Sequence, residues 1–173
     1  MASASNAPWS NVGGSAAEEY QRVIVPGMMA PLAAALVDLA QVDVGDGVLD
    51  VACGTGVVTH LVAERIGASG RVVGLDFNAA MLGIARSLPT SDVIPIEWIE
   101  ASAQAMPFPD AEFDAVVCQH GLQQFTDRPL ALSEMHRVLK PDGRLAVSVW
   151  ASIDQNPAMA AMADALAHHV GEQ

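Results

Sequence analysis

Two carboxylates and two glycines on one stretch of chain carry the chemistry of this sequence. Asp50 lies in an apolar run, Val48 to Val51, that reads as a buried strand. A turn of small residues follows, Ala52-Cys53-Gly54-Thr55-Gly56, and a helix begins near Val57. Glycine has no Cβ, so at positions 54 and 56 the backbone can turn sharply and let a ligand lie against it. Asp50 stands at the end of its strand, where ligands bind in open α/β sheets. Twenty residues after Gly56 the next strand, Arg71 to Leu75, runs into a second acid, Asp76. A carboxylate there can accept hydrogen bonds from both hydroxyls of a ribose. A lone Gly-x-Gly after a strand fits an ordinary tight turn equally well; Asp76 tips the balance toward a nucleoside-containing cofactor.

The glycine spacing narrows the cofactor. A dinucleotide loop has a further glycine three residues after its second one, so that helix and strand pack closely beneath a pyrophosphate. That position is Thr59 here. The spacing Asp50-x-Ala52-x-Gly54-x-Gly56 resembles motif I of the class I S-adenosylmethionine-dependent methyltransferases, with Ala52 where many members have a first glycine. Later segments are similar too. Gly74 to Leu82 resembles the family's second strand and helix cap, Ala103 to Asp110 with Phe113 to Cys118 the approach to the fourth strand, and Leu139 to Trp150 the turn and fifth strand. Together they cover residues 15 to 152, and they look most like the small-molecule branch that includes the ubiquinone and menaquinone biosynthesis methyltransferases.

The resemblance implies a set of roles. The backbone from Gly54 through Thr55 to Gly56 would contact the methionine part of S-adenosylmethionine, Ala52 would allow close approach, and Asp50 would attract the ammonium group. Asp76 would hold the ribose, with Phe77 beside it and Met81 under the adenine. Asn78 suits the cap of the following helix. Where the family often has Asp-Ala, this chain has Ser102-Ala103, an acceptor without charge that implies a weaker hold on adenine. Gln119 and His120 follow the fourth strand, where acceptors usually sit. Gln119 would contact backbone or the sulfonium side. His120 is the candidate base for a protonated acceptor, or else a packed histidine with one ring nitrogen bonded to backbone. Tyr20 lies on a helix that in relatives covers the cofactor, and plain packing is its alternative. His168 and His169 are not at helical ligand spacing and read as solvated; no metal site is expected.

Composition excludes several classes of partner. With 173 residues, 51% of them hydrophobic and 16% charged, the chain is long and apolar enough for one packed domain. The net charge of −12 comes from 20 acidic and only eight basic residues. That leaves no basic stripe for nucleic acid and disfavours an anionic membrane surface. A small neutral, hydrophobic or cationic substrate suits the charge better. Apolar runs read as shorter than a membrane span, and no charged start with an apolar core marks a signal peptide, so a cytoplasmic protein is expected. Cys53 and Cys118 read as small residues packed near the cofactor, without a disulfide.

Positioning these residues takes an alternation of strands and helices. Residues 1–14 read as a mobile N-terminus, 15–152 as the cofactor-binding domain with N-terminal lid helices, and 153–173 as a linker and terminal helix. Helices are expected at 15–25, 31–41, 57–66, 79–88, 128–139 and 157–170. Strands are expected at 47–52, 71–76, 94–99, 113–118 and 144–150. Such alternation means parallel strands joined by crossover helices. The expected fold is α/β, a doubly wound Rossmann-like, mostly parallel sheet, with the order 3-2-1-4-5 that the resemblance implies, truncated after strand 5. Pro95 places strand 3 at an edge, because proline cannot donate to a ladder. Pro141-Asp142-Gly143 reads as the turn into strand 5. Met159, Met162, Ala163, Leu166 and Val170 share one face of the last helix. An uncovered fifth strand predicts a homodimer through strand 5, the terminal helix, or both. The leading function is methyl transfer from S-adenosylmethionine to a small molecule by in-line displacement. The alternatives are a non-catalytic cofactor-binding or dimer-forming fragment and, disfavoured by Thr59, an NAD-dependent oxidoreductase.

Overall fold

The computed structural model describes residues 13–89 and 94–170; the first part of the expected N-terminal tail lies outside the described residues. Five parallel strands form one sheet: β1 (Gly47–Val51), β2 (Arg71–Asp76), β3 (Ile96–Glu100), β4 (Phe113–Gln119) and β5 (Leu139–Ser148). Their order is β3-β2-β1-β4-β5, the one expected. Register runs from Gly47 opposite Arg71 to Val51 opposite Leu75, so Asp50 and Asp76 end up two positions apart on neighbouring strands.

Alternate side chains of the central strands feed two cores. On one face Val48, Val72, Ala115 and Val117 pack with Val58, Val62 and Ile66 of α3 (Val57–Ile66) and with Leu36 and Val37 of α2 (Ala30–Ala40). On the other, Leu49, Val51, Val73 and Leu75 pack with Ala131, Met135 and Val138 of α5 (Arg128–Val138). Strands buried on both faces have apolar residues at consecutive positions, which is why the strand pattern reads as continuous runs. The helix α4 (Ala79–Ser87) starts at Asn78, whose side chain accepts from the Ala80 and Met81 amides, as the sequence suggests.

Three boundaries and the burial of one helix differ from expectation. The two N-terminal helices are one run: α1 (Gly14–Glu19), a π-helical stretch Tyr20–Met29, and α2, without a break. In the π stretch the Ala30 N–H donates to the Val25 carbonyl, five residues back. Pro26 fits inside it, where it has no N–H to lose from the usual ladder. The fused helix Gly14–Ala40 has 27 residues, and its most apolar 18-residue window has a mean hydropathy of 1.9. By length and composition it could cross a membrane, contrary to the run lengths read before the helices joined; here its Ala33, Leu36, Val37 and Ala40 lie in the core.

The strand β3 begins after Pro95 rather than across it, and it does occupy a sheet edge. The β5 strand starts at Leu139 and absorbs Pro141 to Gly143 as an irregularity, with Asp142 at φ 66°, before pairing resumes at Ala115 opposite Arg144. The bulge takes up the turn expected there. The last helix, α6 (Pro157–Val170), does not bury the stripe assigned to it: Met159 is half-buried, but Met162 and Leu166 are exposed, and the Val170 side chain lies outside what is described.

Candidate cofactor and acceptor site

A cavity of about 680 Å³ opens at the C-terminal ends of β1, β2 and β4, roofed by the N-terminal helical run and reached by Met159 of α6. Its wall combines residues far apart in sequence: Tyr20, Ala52, Gly54, Asp76, Phe77, Met81, Gln119 and His120 all contribute. Glu19 and Asp76 are the charged side chains on it, and among the described residues no Lys or Arg lines it.

The two loop glycines have different tasks. Gly54 (φ 57°) has open space where a Cβ would stand, the nearest atom being Tyr20 Cε1 at 4.0 Å, so its bare face is turned to the cavity. Gly56 (φ 88°) is instead closed off: a Cβ there would fall 2.4 Å from the Trp98 indole. Gly74, directly across the register from Trp98, is equally tight at 2.5 Å. Gly56 therefore makes room for Trp98, not for a ligand, and Trp98 escaped notice because an isolated tryptophan on an edge strand carries no motif. Ala52, in the place of a glycine, keeps a glycine-like backbone at φ 57°, a conformation that is strained for a residue with a Cβ.

Asp76 holds the loop. Its Oδ2 accepts from the Gly54 amide at 2.8 Å and its Oδ1 from the Asn78 amide at 2.8 Å. Burial pushes its carboxyl above the usual range, against the pull of those backbone bonds. Asp50 is placed otherwise than expected: it is 1% exposed and does not line the cavity. The Thr59 hydroxyl donates to its Oδ2 at 2.6 Å. Burial pushes Asp50 up to about 7, Thr59 opposing and the Asp76 charge adding. Thr59 thus ties the first turn of α3 to Asp50, a role that the sequence showed only as a missing glycine. Thr55 is buried beneath the loop, its hydroxyl without a partner among the described residues.

Tyr20 overhangs Gly54, its hydroxyl pushed up to about 12 by burial and then by Asp76. Ser102 and Ala103 are not brought to the wall. Ser102 Oγ accepts from the Gln104 amide at 3.1 Å, and Ala103 is buried in the core beside Leu75. Cys53 and Cys118 are buried, unbridged, and pushed up by burial. Among the described residues no group of His, Cys, Asp and Glu could hold a metal ion.

The opposite wall is aromatic and thioether-rich. Gln119 Nε2 donates to the Met29 carbonyl at 3.0 Å, tying β4 to the roof. His120 has φ 54° and stacks flat on Trp150, ring centres 4.1 Å apart and 3° from parallel. Among the described residues neither ring nitrogen has a partner, so the backbone-bonded alternative is not seen there; burial keeps the imidazole below its usual pKa. Met28, Met29, Phe125 and Trp150 complete this side. Sequence reasoning missed these residues, because their grouping depends on the π-helical roof and the end of β5 meeting in space.

The protein is similar to known methyltransferases in sequence and in fold. It is 47% identical over 112 residues to the 2-phytyl-1,4-naphtoquinone methyltransferase of Thermosynechococcus vestitus, covering 64% of this chain and 49% of that one. The ubiquinone/menaquinone biosynthesis C-methyltransferase UbiE of Stenotrophomonas maltophilia is 42% identical over 116 residues, 66% of this chain and 46% of that one. The chain spans about half the length of the curated relatives it matches. A SAM dependent methyltransferase from Aquifex aeolicus has the same fold, with a TM-score of 0.67 over 85% of this chain and 87% of that one at 19% identity. Residues 23–170 match the ubiE/COQ5 methyltransferase family, and with the sheet order and the Asp76-bound glycine loop already in place, the chain belongs to that family of S-adenosylmethionine-dependent methyltransferases.

Proposed function

We propose that this chain binds S-adenosylmethionine in the cavity and transfers its methyl group to a small, largely apolar ring compound of the quinone kind. The observation that carries the proposal is the charge of the wall. Asp76 stands on it and Asp50 lies just behind, and among the described residues neither has a Lys or Arg partner, whereas Glu19, also on the wall, is paired with Arg22. A pyrophosphate-bearing dinucleotide would meet only repulsion there, whereas a cationic cofactor supplies the missing countercharge. Thr59, bonded to Asp50 where a dinucleotide loop has glycine, argues the same way.

The cofactor brings an activated methyl group on a sulfonium; the protein's share is alignment and exclusion of water. Asp76 is suited to the ribose, its two oxygens already oriented by the Gly54 and Asn78 amides. Gly54 gives the methionine part room against the backbone, with Tyr20 above it and Phe77 and Met81 alongside. The acceptor end is assigned to the wall of Met28, Met29, Phe125 and Trp150, whose apolar surface suits a flat ring. His120, its imidazole held below its usual pKa by burial and its ring nitrogens without partners among the described residues, is suited to take a proton from a hydroxylated acceptor. The names of the relatives, quinone and naphthoquinone methyltransferases, support this acceptor class.

Two finer features complete the proposal. The β5 edge pairs only with β4 among the described strands, and Leu145 and Val149 are exposed along it with Met162 and Leu166 nearby in sequence on α6, which supports a homodimer through that edge. Two buried, unbridged cysteines support a reducing, cytoplasmic setting. The experiment is calorimetric titration with S-adenosylmethionine, S-adenosylhomocysteine and NAD, then turnover with hydroxylated quinone-type acceptors. Binding of NAD alone would refute the cofactor assignment. Cofactor binding without turnover of any acceptor would favour a non-catalytic cofactor-binding chain.

A further inference from the structure

Asp50 and Asp76 are two buried acids on neighbouring strands, 1% and 6% exposed, at either side of the glycine loop. The titratable groups that bear on Asp50 are Asp76 on β2, Cys53 in the loop and Cys118 at the end of β4, and from α3 it receives the uncharged Thr59 hydroxyl. None of them is a cation. Removing two carboxylates from water without a countercharge is costly, and such a pair keeps a proton until a positive charge arrives.

We propose that the Asp50–Asp76 pair holds a proton in the ligand-free protein and gives it up when a cation enters the cavity, so that the site distinguishes the sulfonium cofactor from the neutral thioether that remains after transfer. The inference rests on the cofactor assignment above. On binding, one carboxylic O–H bond breaks, the proton passes to solvent, and the carboxylate left behind is the countercharge of the ligand. Once the methyl group has left, the sulfur is neutral, the pair takes a proton back from solvent, and the product is held less tightly. Burial of Asp50, which brings it to about 7, puts this exchange near neutral pH. Asp50 thereby acts as a specificity-determining residue without touching the cavity wall; Asp76, on the wall, completes the pair.

The test is calorimetric titration of the full chain at pH 7 with S-adenosylmethionine and with S-adenosylhomocysteine, each in phosphate and in Tris, whose protonation heats differ widely. Binding of S-adenosylmethionine should show a buffer-dependent heat equal to release of a sizeable fraction of a proton, and S-adenosylhomocysteine a clearly smaller one. In Asp50→Asn that difference should vanish, and the preference for the cofactor over the product should shrink several-fold. Thr59→Val, which removes the hydroxyl donor but keeps the acid, should move the pH of maximal release upward. Equal heats in both buffers, or a release that persists unchanged in Asp50→Asn and so comes from the ligand's own ammonium, would overturn the inference alone. Failure of both ligands to bind would overturn the cofactor assignment beneath it.

Discussion

The two ends of the sheet treat charge in opposite ways. At the N-terminal ends of the strands Asp46, Glu97, Glu112 and Asp114 each have a cation. Arg71 bridges Glu97 at 2.8 Å and also meets Glu112, Arg144 meets Asp46, and Lys140 meets Asp114 at 2.8 Å while Asp114 accepts from the Gly47 amide. At the C-terminal ends Asp50 and Asp76 have hydroxyl and amide donors only. A chain with eight basic residues has set three of them around the end that faces no cavity. The closed end is neutralised in advance, and the open end is left negative for a ligand to neutralise. The backbone draws no such contrast: Ala52 and His120 take left-handed conformations at the cavity, and Gln41, Ala111 and Asp142 do so at the other end.

The harshest way to break the open end is Gly54→Val. A branched side chain at φ 57° is strained and would stand in the cavity beneath Tyr20. Affinity for S-adenosylmethionine should fall by about a thousandfold, roughly 4 kcal/mol, with the fold retained by circular dichroism; unimpaired binding would mean that the loop faces away from the ligand.

A second prediction measures the uncompensated acid through stability. Asp50 is raised on folding from 3.8 to about 7, so the folded state binds its proton more tightly than the unfolded state. Its stabilising effect is complete below about pH 4 and is lost as pH rises through about 7. Relative to wild type, Asp50→Asn should gain stability between pH 4 and pH 8, by up to about 4 kcal/mol at roughly 1.4 kcal/mol per pH unit. Urea unfolding at the two pH values checks it, and a pH-independent difference would show Asp50 to be compensated after all.

Asp76→Ala should weaken binding of S-adenosylhomocysteine by about 2 kcal/mol, the worth of charge-assisted hydrogen bonds to the ribose. Part of that loss comes from releasing the Gly54 amide, so Asp76→Asn should recover some affinity; equal affinity in all three proteins would remove Asp76 from the site.

The mildest change belongs to the other end. Arg71→Met leaves the exposed Glu97 and the part-buried Glu112 unpaired, and an exposed pair such as that with Glu97 contributes at most about 1 kcal/mol. A small loss of stability that fades in high salt is expected, with cofactor affinity unchanged. A large effect on binding would mean that the two ends are coupled through the sheet.

Much of this arrangement is legible in the sequence where short-range chemistry writes it. The alternation of apolar runs and turns yields the parallel sheet, its order comes from the resemblance, and Asn78 announces the cap of α4 because an N-cap depends on residues two and three positions away. The edge position expected of β3 is found, although Pro95, the reason given for it, precedes the strand instead of interrupting it. The roof was misread because a π-helical turn through Pro26 fuses two helices that sequence punctuation divides. The expected adenine pair, Ser102 and Ala103, was carried over from a resemblance, yet Ser102 closes a turn on Gln104 in its own loop.

What the sequence determined alone is what period, turn chemistry and composition fix: the alternation of parallel strands and helices, the glycine loop between Asp50 and Asp76, and a shortage of cations. Tertiary structure decided which glycine faces a ligand and which faces Trp98, that Asp50 lies behind the wall and Asp76 on it, and that His120 stacks on Trp150. Those outcomes depend on side chains from distant segments competing for the same few ångströms. The pattern along a strand says which face a residue takes, but only the packed neighbours say what it meets there.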